Sequence, residues 1–267
     1  MLAKAQLSDE FHTWNQRWGS PLGRFRVLRL LLNNIEGLKK SSLIQRVQGP
    51  FGFQINSSTR AHEFPWTYFE LSKGNRVTLL EIGGALSGLQ FVLARDGHEV
   101  HNVDPFFDYG LGAYEIDPVR EHAALNRTFG TDVVLHKTTL PGAALGRHFD
   151  AVYCVSTIEH MGLADIEATL RSAKDVLVPG GLLVLTVDLF LDVVPFTQEI
   201  TNRWGSNVSI AWMQELLGFE MVAGDRSELY GYPEFSSRKV LENLPAYAIN
   251  SGYPQLAQLV CFRSPLA

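Results

Sequence analysis

The chain has 267 residues, of which 46% are hydrophobic and 19% charged, and its formal net charge is −5 at pH 7. This length suits one large domain, or a main domain with a small accessory segment, and the composition excludes a disordered chain. The negative balance argues against nucleic acid as the main partner, because phosphate neutralisation favours a basic surface; a small anionic substrate needs only a local basic pocket.

Two cysteines, Cys154 and Cys261, lie far apart. Cys154 sits in an apolar, strand-like run, which favours a reduced structural thiol. No CxxC pair is present, so no zinc site is expected. The first twenty residues lack an apolar signal core. The longest apolar stretch, 181–196, is broken by Asp188, Asp192 and Pro195. No membrane span is therefore expected, and a cytoplasmic location is the default reading.

Residues 22–47 read as mainly helical, with Val27, Leu28, Leu30, Leu31, Leu32, Ile35 and Leu38 on the buried side. The basic residues opposite (Arg24, Arg26, Arg29, Lys39, Lys40, Arg46) fit a solvated face or a contact for an acidic partner. Gly49, Pro50 and Gly52 mark residues 48–58 as a loop. The aromatic-rich stretch 58–71 leads into a helix or turn. A regular alternation begins at 76: strand 76–84, helix 86–97, strand 98–105, helix 117–128, a third strand within 131–141, strand 149–157, helix 163–181, strand 182–190, helix 207–219 and two last strands, 219–224 and 256–263. Pro118 suits the first turn of its helix and Gly218 the end of another. Strands separated by helices imply βαβ units and a parallel sheet with apolar strands, and the last two runs fit an antiparallel hairpin.

The first chemical signal is LLEIGGALSG, residues 79–88. A strand, closely spaced glycines and a helix start allow a ligand close to the backbone. Asp104 follows Gly83 by 21 positions, at the end of the next strand, where a carboxylate can accept both ribose hydroxyls of a nucleoside. A dinucleotide loop would need G-x-G-x-x-G, and G-G-A-L-S-G lacks that spacing.

The run resembles the first motif of the class I S-adenosylmethionine (SAM) dependent methyltransferases, acid-x-Gly-x-Gly-x-Gly. Glu81 and Gly83 match it; Ala85 and Ser87 stand where the later glycines are usual, with Gly88 just after. FDAVYCVSTIEHMG (149–162) is similar to the family's fourth-strand motif and LVPGGLLVLTV (177–187) to its fifth. The resemblance implies a Rossmann-like α/β domain over 71–267, with strand order 3-2-1-4-5-7-6, and an N-terminal helical cap over 1–70. It implies SAM as cofactor, held by Glu81, Gly83, Gly84, Ala85, Gly88, Asp104, Pro105 and Ser156. His136 or Lys137 stands where the family often carries an adenine-facing acid. Arg60 is a candidate partner for the SAM carboxylate or for an anionic substrate.

Methyl transfer from a sulfonium is an in-line displacement, so the protein chiefly aligns the reactants. A base is needed only when the acceptor must lose a proton. His160 is the candidate base and Glu159 its orienting partner; the alternative is a His-Glu pair that caps the following helix. Some ubiquinone-pathway O-methyltransferases carry Glu-x-x-Glu-His here as a metal motif. Ser156 occupies the first acidic position in this chain, so no required metal is expected, although Asp188 offers a further oxygen. Phe64, Trp66, Tyr68 and Phe69, and Tyr230, Tyr232 and Phe235, either wall an acceptor pocket or serve packing. The expected reaction is methyl transfer to a small organic acceptor, with a hydroxyl oxygen as first choice. A nicotinamide-dependent oxidoreductase, which would bind NADH and not SAM, and a non-catalytic SAM-binding protein are the alternatives. The sequence leaves the acceptor and the oligomeric state open.

Overall fold

The structure, a computed structural model, describes residues 1–25, 42–54, 56–73, 77–106, 117–250 and 252–266. The apolar runs become seven strands: β1 (Thr78–Ile82), β2 (Glu99–Val103), β3 (Val134–His136), β4 (Phe149–Val155), β5 (Leu177–Phe190), β6 (Glu220–Ala223) and β7 (Gln255–Arg263). They form one sheet in the order β3-β2-β1-β4-β5-β7-β6. Pairings among β1 to β5 are parallel, whereas β7 runs antiparallel to both β5 and β6. This is the Rossmann-like order expected, with its closing hairpin.

Alternate residues of the central strands feed two cores, one on each sheet face. Leu80, Ile82, Val152, Cys154, Leu183, Leu185 and Val187 join one; Leu79, Ala151, Tyr153 and Val184 join the other. On the first face lie α6 (Leu163–Val176) and α7 (Ile210–Leu217), through Ile166, Leu170, Ile210, Met213 and Leu217. On the second lie α1 (Asp9–Trp18), α3 (Arg60–Leu71), α4 (Gly88–Arg95) and α5 (Pro118–Phe129), through Trp14, Phe64, Leu89 and Leu125. The short helices α2 (Ser42–Gln48) and α8 (Ser237–Glu242) complete the set used below.

Helix boundaries follow local chemistry. Asp117 accepts from the Val119 and Arg120 N–H groups, Pro118 opens α5, and Gly130 closes it at φ 66°. Ser209 and Gly218 bracket α7 in the same way. Pro65 lies inside α3 and cannot donate to the Ala61 carbonyl, a gap that the buried Asn15 side chain fills by donating to it at 2.7 Å. The contact ties α1 to α3, and α3 itself packs across β4, β5 and β7.

Three expectations change. The helix expected over 163–181 ends at Val176, and β5 begins at Leu177 rather than 182. The register steps from Phe149↔Leu177 to Ala151↔Leu182, so Val178–Gly181 bulge out; Gly180, at φ 76°, bonds the Pro265 carbonyl. α8 stands between the last two strands, where the sequence pattern predicts no helix. The loop over 48–58 contains a 3₁₀ turn, Pro50–Gly52. Most of the helix expected over 22–47 lies outside the described residues; within them Arg24 and Arg46 donate to the carbonyls of Arg17 and Thr128. Cys154 and Cys261 are buried free thiols, and no helix among the described residues is long and apolar enough to cross a membrane.

Candidate active site at the carboxyl ends of the strands

In an open parallel sheet, ligands gather beyond the carboxyl ends of the strands where the order reverses, here between β1 and β4. After β1 the chain turns through Gly83, at φ 68°, where a Cβ would overlap the Thr157 side chain; one on Gly84 would overlap the Glu81 carboxyl group. Ala85 follows at φ 44°. Its N–H donates to Asp104 Oδ2 at 2.8 Å, and its carbonyl accepts from Asn102 Nδ2 at 2.9 Å. Asn102 Oδ1 accepts from Gly84 N–H at 3.3 Å. Asp104 Oδ1 accepts from Phe106 N–H at 2.6 Å. Two side chains of the β2 end therefore shape the glycine loop. Non-glycine residues in the left-handed region, Ala85, Phe106 and Ser156, follow β1, β2 and β4 respectively, so backbone strain collects around the cleft. Gly88 serves packing instead. A Cβ there would meet Phe51, so its absence lets α4 rest against the Pro50–Gly52 turn.

Two chambers meet at this loop. The larger, about 470 Å³, is mostly apolar, with Ile82, Val103, Pro105, Leu140, Pro141 and Met161 among its walls and His160 at its edge. The smaller, about 120 Å³, is polar, with Gln54, Asn56, Arg60, Glu81, Ser87 and Ser156 among its walls. Gly83 and Thr157 line both, and Thr157 Oγ1 donates to the Gly83 carbonyl at 3.3 Å. Burial pushes the Glu81 carboxyl up to about 8, and burial likewise raises Asp104.

Behind the polar chamber lies a buried ionic cluster. Arg60 donates to Glu63 at 2.6 Å and to Ser156 Oγ at 2.6 Å, and stands 4.0 Å from Asp188 Oδ1. Ser156 Oγ bonds Glu63 at 2.6 Å and Asp188 at 3.0 Å; Thr186 donates to Glu63 at 2.6 Å, and Gln255 to Asp188 at 2.6 Å. Burial opposes ionisation of Glu63, but the Arg60 guanidinium and the hydroxyls of Ser156 and Thr186 hold its carboxyl below the usual range. Burial, then the neighbouring Glu159, pushes Asp188 well up; burial also pushes Glu159 up to about 7. Glu159 Oε1 accepts from the Asp188 N–H at 3.1 Å.

Glu159 and His160 lie in the 3₁₀ turn Ile158–His160, one buried and the other exposed at the rim. The turn 202–205 is pressed onto them: a Cβ at Gly205 would overlap the Glu159 carbonyl. His160 Nδ1 lies 2.5 Å from the Trp204 carbonyl, which can only accept, so the neutral ring carries its proton on Nδ1 and its lone pair on Nε2.

Of the predicted residues, Glu81, Gly83, Gly84, Arg60 and Ser156 line the polar chamber, Pro105 and His160 the apolar one, and Asp104 and Ala85 brace the loop between them. His136 instead stacks on His101, with His101 Nδ1 and His136 Nε2 2.9 Å apart, and Lys137 is exposed; this loop reaches the chamber through Thr139, Leu140 and Pro141. Phe64 lines the polar chamber, whereas Tyr68 packs on Trp14, and Phe69 on Phe11. Tyr230 packs against Phe235, and Tyr232 donates to Gln214. The sequence pattern does not single out Asn102, Thr157, Gln54 or Glu63. A polar residue such as Asn102 at the end of an otherwise apolar strand is the one local signal available.

Residues 80–185 match the family model described as a methyltransferase domain. No curated protein matches the sequence. Among solved structures, a putative sarcosine dimethylglycine methyltransferase from Galdieria sulphuraria superposes with a TM-score of 0.54 at 12% identity, covering 78% of this chain and 86% of that one. The [4+2]-cyclase SpnF gives 0.55 at 14% identity, covering 85% and 92%. The N-methyltransferase NodS from Bradyrhizobium japonicum WM9, in complex with S-adenosyl-L-homocysteine (SAH), gives 0.50 at 17%, covering 78% and 87%. At such identities the superpositions speak to fold alone. The domain match runs from β1 into β5 of the Rossmann-like sheet, and over that stretch the chain is similar to methyltransferase domains.

Proposed function

We propose that the chain binds SAM across the two chambers and transfers its methyl group to a small organic acceptor, with a hydroxyl oxygen as the favoured target. The observation that carries this reading is the pairing of an apolar chamber with a polar one through Gly83 and Thr157. SAM is a molecule of that shape: a flat, weakly polar adenine at one end, a zwitterionic amino acid at the other. The adenosine suits the walls of Ile82, Val103, Leu140 and Pro141, and Asp104, which braces the loop between the chambers, is the candidate partner of the ribose hydroxyls. The amino acid portion suits Glu81, Gln54 and Arg60.

The activated donor leaves the protein chiefly to align the reactants. His160, at the chamber's edge, presents the Nε2 lone pair to an acceptor that must lose a proton, and Glu159 anchors the turn that carries it. An aromatic cluster of Phe190, Tyr253 and Trp204 adjoins His160.

Incubation with methyl-labelled SAM and a panel of phenols, aliphatic alcohols and amines, read by SAH formation, tests the proposal. SAH production that depends on a hydroxylated acceptor and falls at least about 100-fold in His160→Ala supports it. Turnover confined to amines, or undiminished in the variant, overturns the choice of oxygen or the role of His160.

A further inference from the structure

The buried cluster behind the cleft holds more carboxyl groups than guanidinium partners. One guanidinium, Arg60, faces three carboxyl groups, Glu63, Glu159 and Asp188. Arg60 is matched by Glu63 at 2.6 Å. Glu159 and Asp188 are then left facing one another, each almost fully buried, with the His160 ring acting on Asp188 from the rim. Glu159 Oε2 is buried without a hydrogen-bond partner among the described residues. An orphaned carboxylate oxygen at such a place calls for a ligand that supplies positive charge.

We propose that Glu159, His160 and Asp188 form a binding site for one divalent first-row metal ion, of the Mn²⁺ or Zn²⁺ kind, between the ends of β4 and β5. One ligand atom from each residue lies within 4.8 Å of the others. Ligand atoms ~2.1 Å from a shared ion stand up to ~4.2 Å apart, so small side-chain adjustments close the set. Two carboxylates and one imidazole suit a first-row ion better than Mg²⁺ or Ca²⁺, which prefer all-oxygen shells. The carbonyl of Trp204 fixes the His160 tautomer with its lone pair on Nε2, as outer partners of metal-bound histidines do. Gln255 and Ser156 orient Asp188, and the Asp188 N–H orients Glu159. Ser156 has no carboxylate to offer, and Asp188, from the neighbouring strand, supplies the second one. The site stands whether or not the chain transfers methyl groups. Ion binding and proton acceptance compete for the same Nε2 lone pair, so the loaded and unloaded forms differ at His160.

The test is titration of the EDTA-treated full chain with Mn²⁺, followed by the paramagnetic resonance signal of unbound Mn²⁺, with Zn²⁺ as competitor. One ion bound per chain, displaced by Zn²⁺, is expected, and Glu159→Gln and Asp188→Asn should each weaken binding about 10-fold or more. Both variants keep the hydrogen-bonding shape of the side chain, and melting in EDTA establishes that they fold. Mn²⁺ should raise the wild-type melting temperature and leave theirs unmoved. No binding to the folded wild type, or equal binding to both variants, would show that protons rather than a metal neutralise the pair and would overturn the site. SAM titrated into the same samples keeps failure of the metal site distinct from failure of the cofactor reading.

Discussion

Glu81 sits at the end of β1, fully buried, with its carboxyl pushed up to about 8 from an ordinary 4.5 by burial first and Asp104 next. Because the folded value is raised, the stability it lends is complete below about 4.5 and is lost as pH rises toward 8. Glu81→Gln removes that loss, so urea melts should show the variant gaining on the wild type between pH 5 and pH 8. The proposed binding mode brings the cofactor's ammonium beside this carboxyl, which would favour its ionised form. SAM binding near pH 7 should therefore release a proton, seen as a calorimetric heat that varies with buffer ionisation enthalpy and vanishes in Glu81→Gln. Gly83 gives a second residue-level outcome. Alanine there meets both a left-handed backbone, costing about 1–2 kcal/mol, and the Thr157 side chain. Gly83→Ala should melt lower and lose SAM binding together.

Elements carry their own predictions. The α1–α3 junction rests on Asn15 completing the carbonyl that Pro65 leaves open. Asn15→Ala orphans a part-buried acceptor, and denaturant melts should show a loss of about 1 kcal/mol. Asn102→Ala strips partners from both Gly84 N–H and Ala85 carbonyl and should cost a similar amount. It should also weaken SAM binding, because the β1–α4 turn loses its brace. These contacts mark what the sequence could and could not disclose. Strands such as 149–157 announce themselves through continuous apolar residues, and α5 and α7 through their Asp, Ser and Gly punctuation. The extension of β5 back to Leu177 is hidden because Pro179, Gly180 and Gly181 read as a stop, whereas the sheet absorbs them in a bulge. The glycine loop and Asp104 are legible from spacing. The Arg60–Glu63–Ser156–Asp188 cluster is not, since it joins α3 to the ends of β4 and β5, and only tertiary contact reveals such a set.

At the scale of the molecule, strands 3-2-1-4-5-7-6 bring the turns after β1, β2 and β4 to one edge, where two chambers of opposite character meet. The order itself comes from the family resemblance; periodicity alone gives strands and helices without their arrangement. A ligand that binds only this folded edge stabilises the whole chain, by about 2.7 kcal/mol at 100 times its dissociation constant. SAM and SAH should thus raise the melting temperature by several degrees, while NADH should not. Calorimetric titration of the folded chain with SAM and SAH, beside Asp104→Ala, tests the central claim most directly. One saturable site for both ligands, lost or severely weakened in a variant that still melts cooperatively, is the predicted result. A folded wild type that binds neither, or that binds NADH instead, would contradict the account.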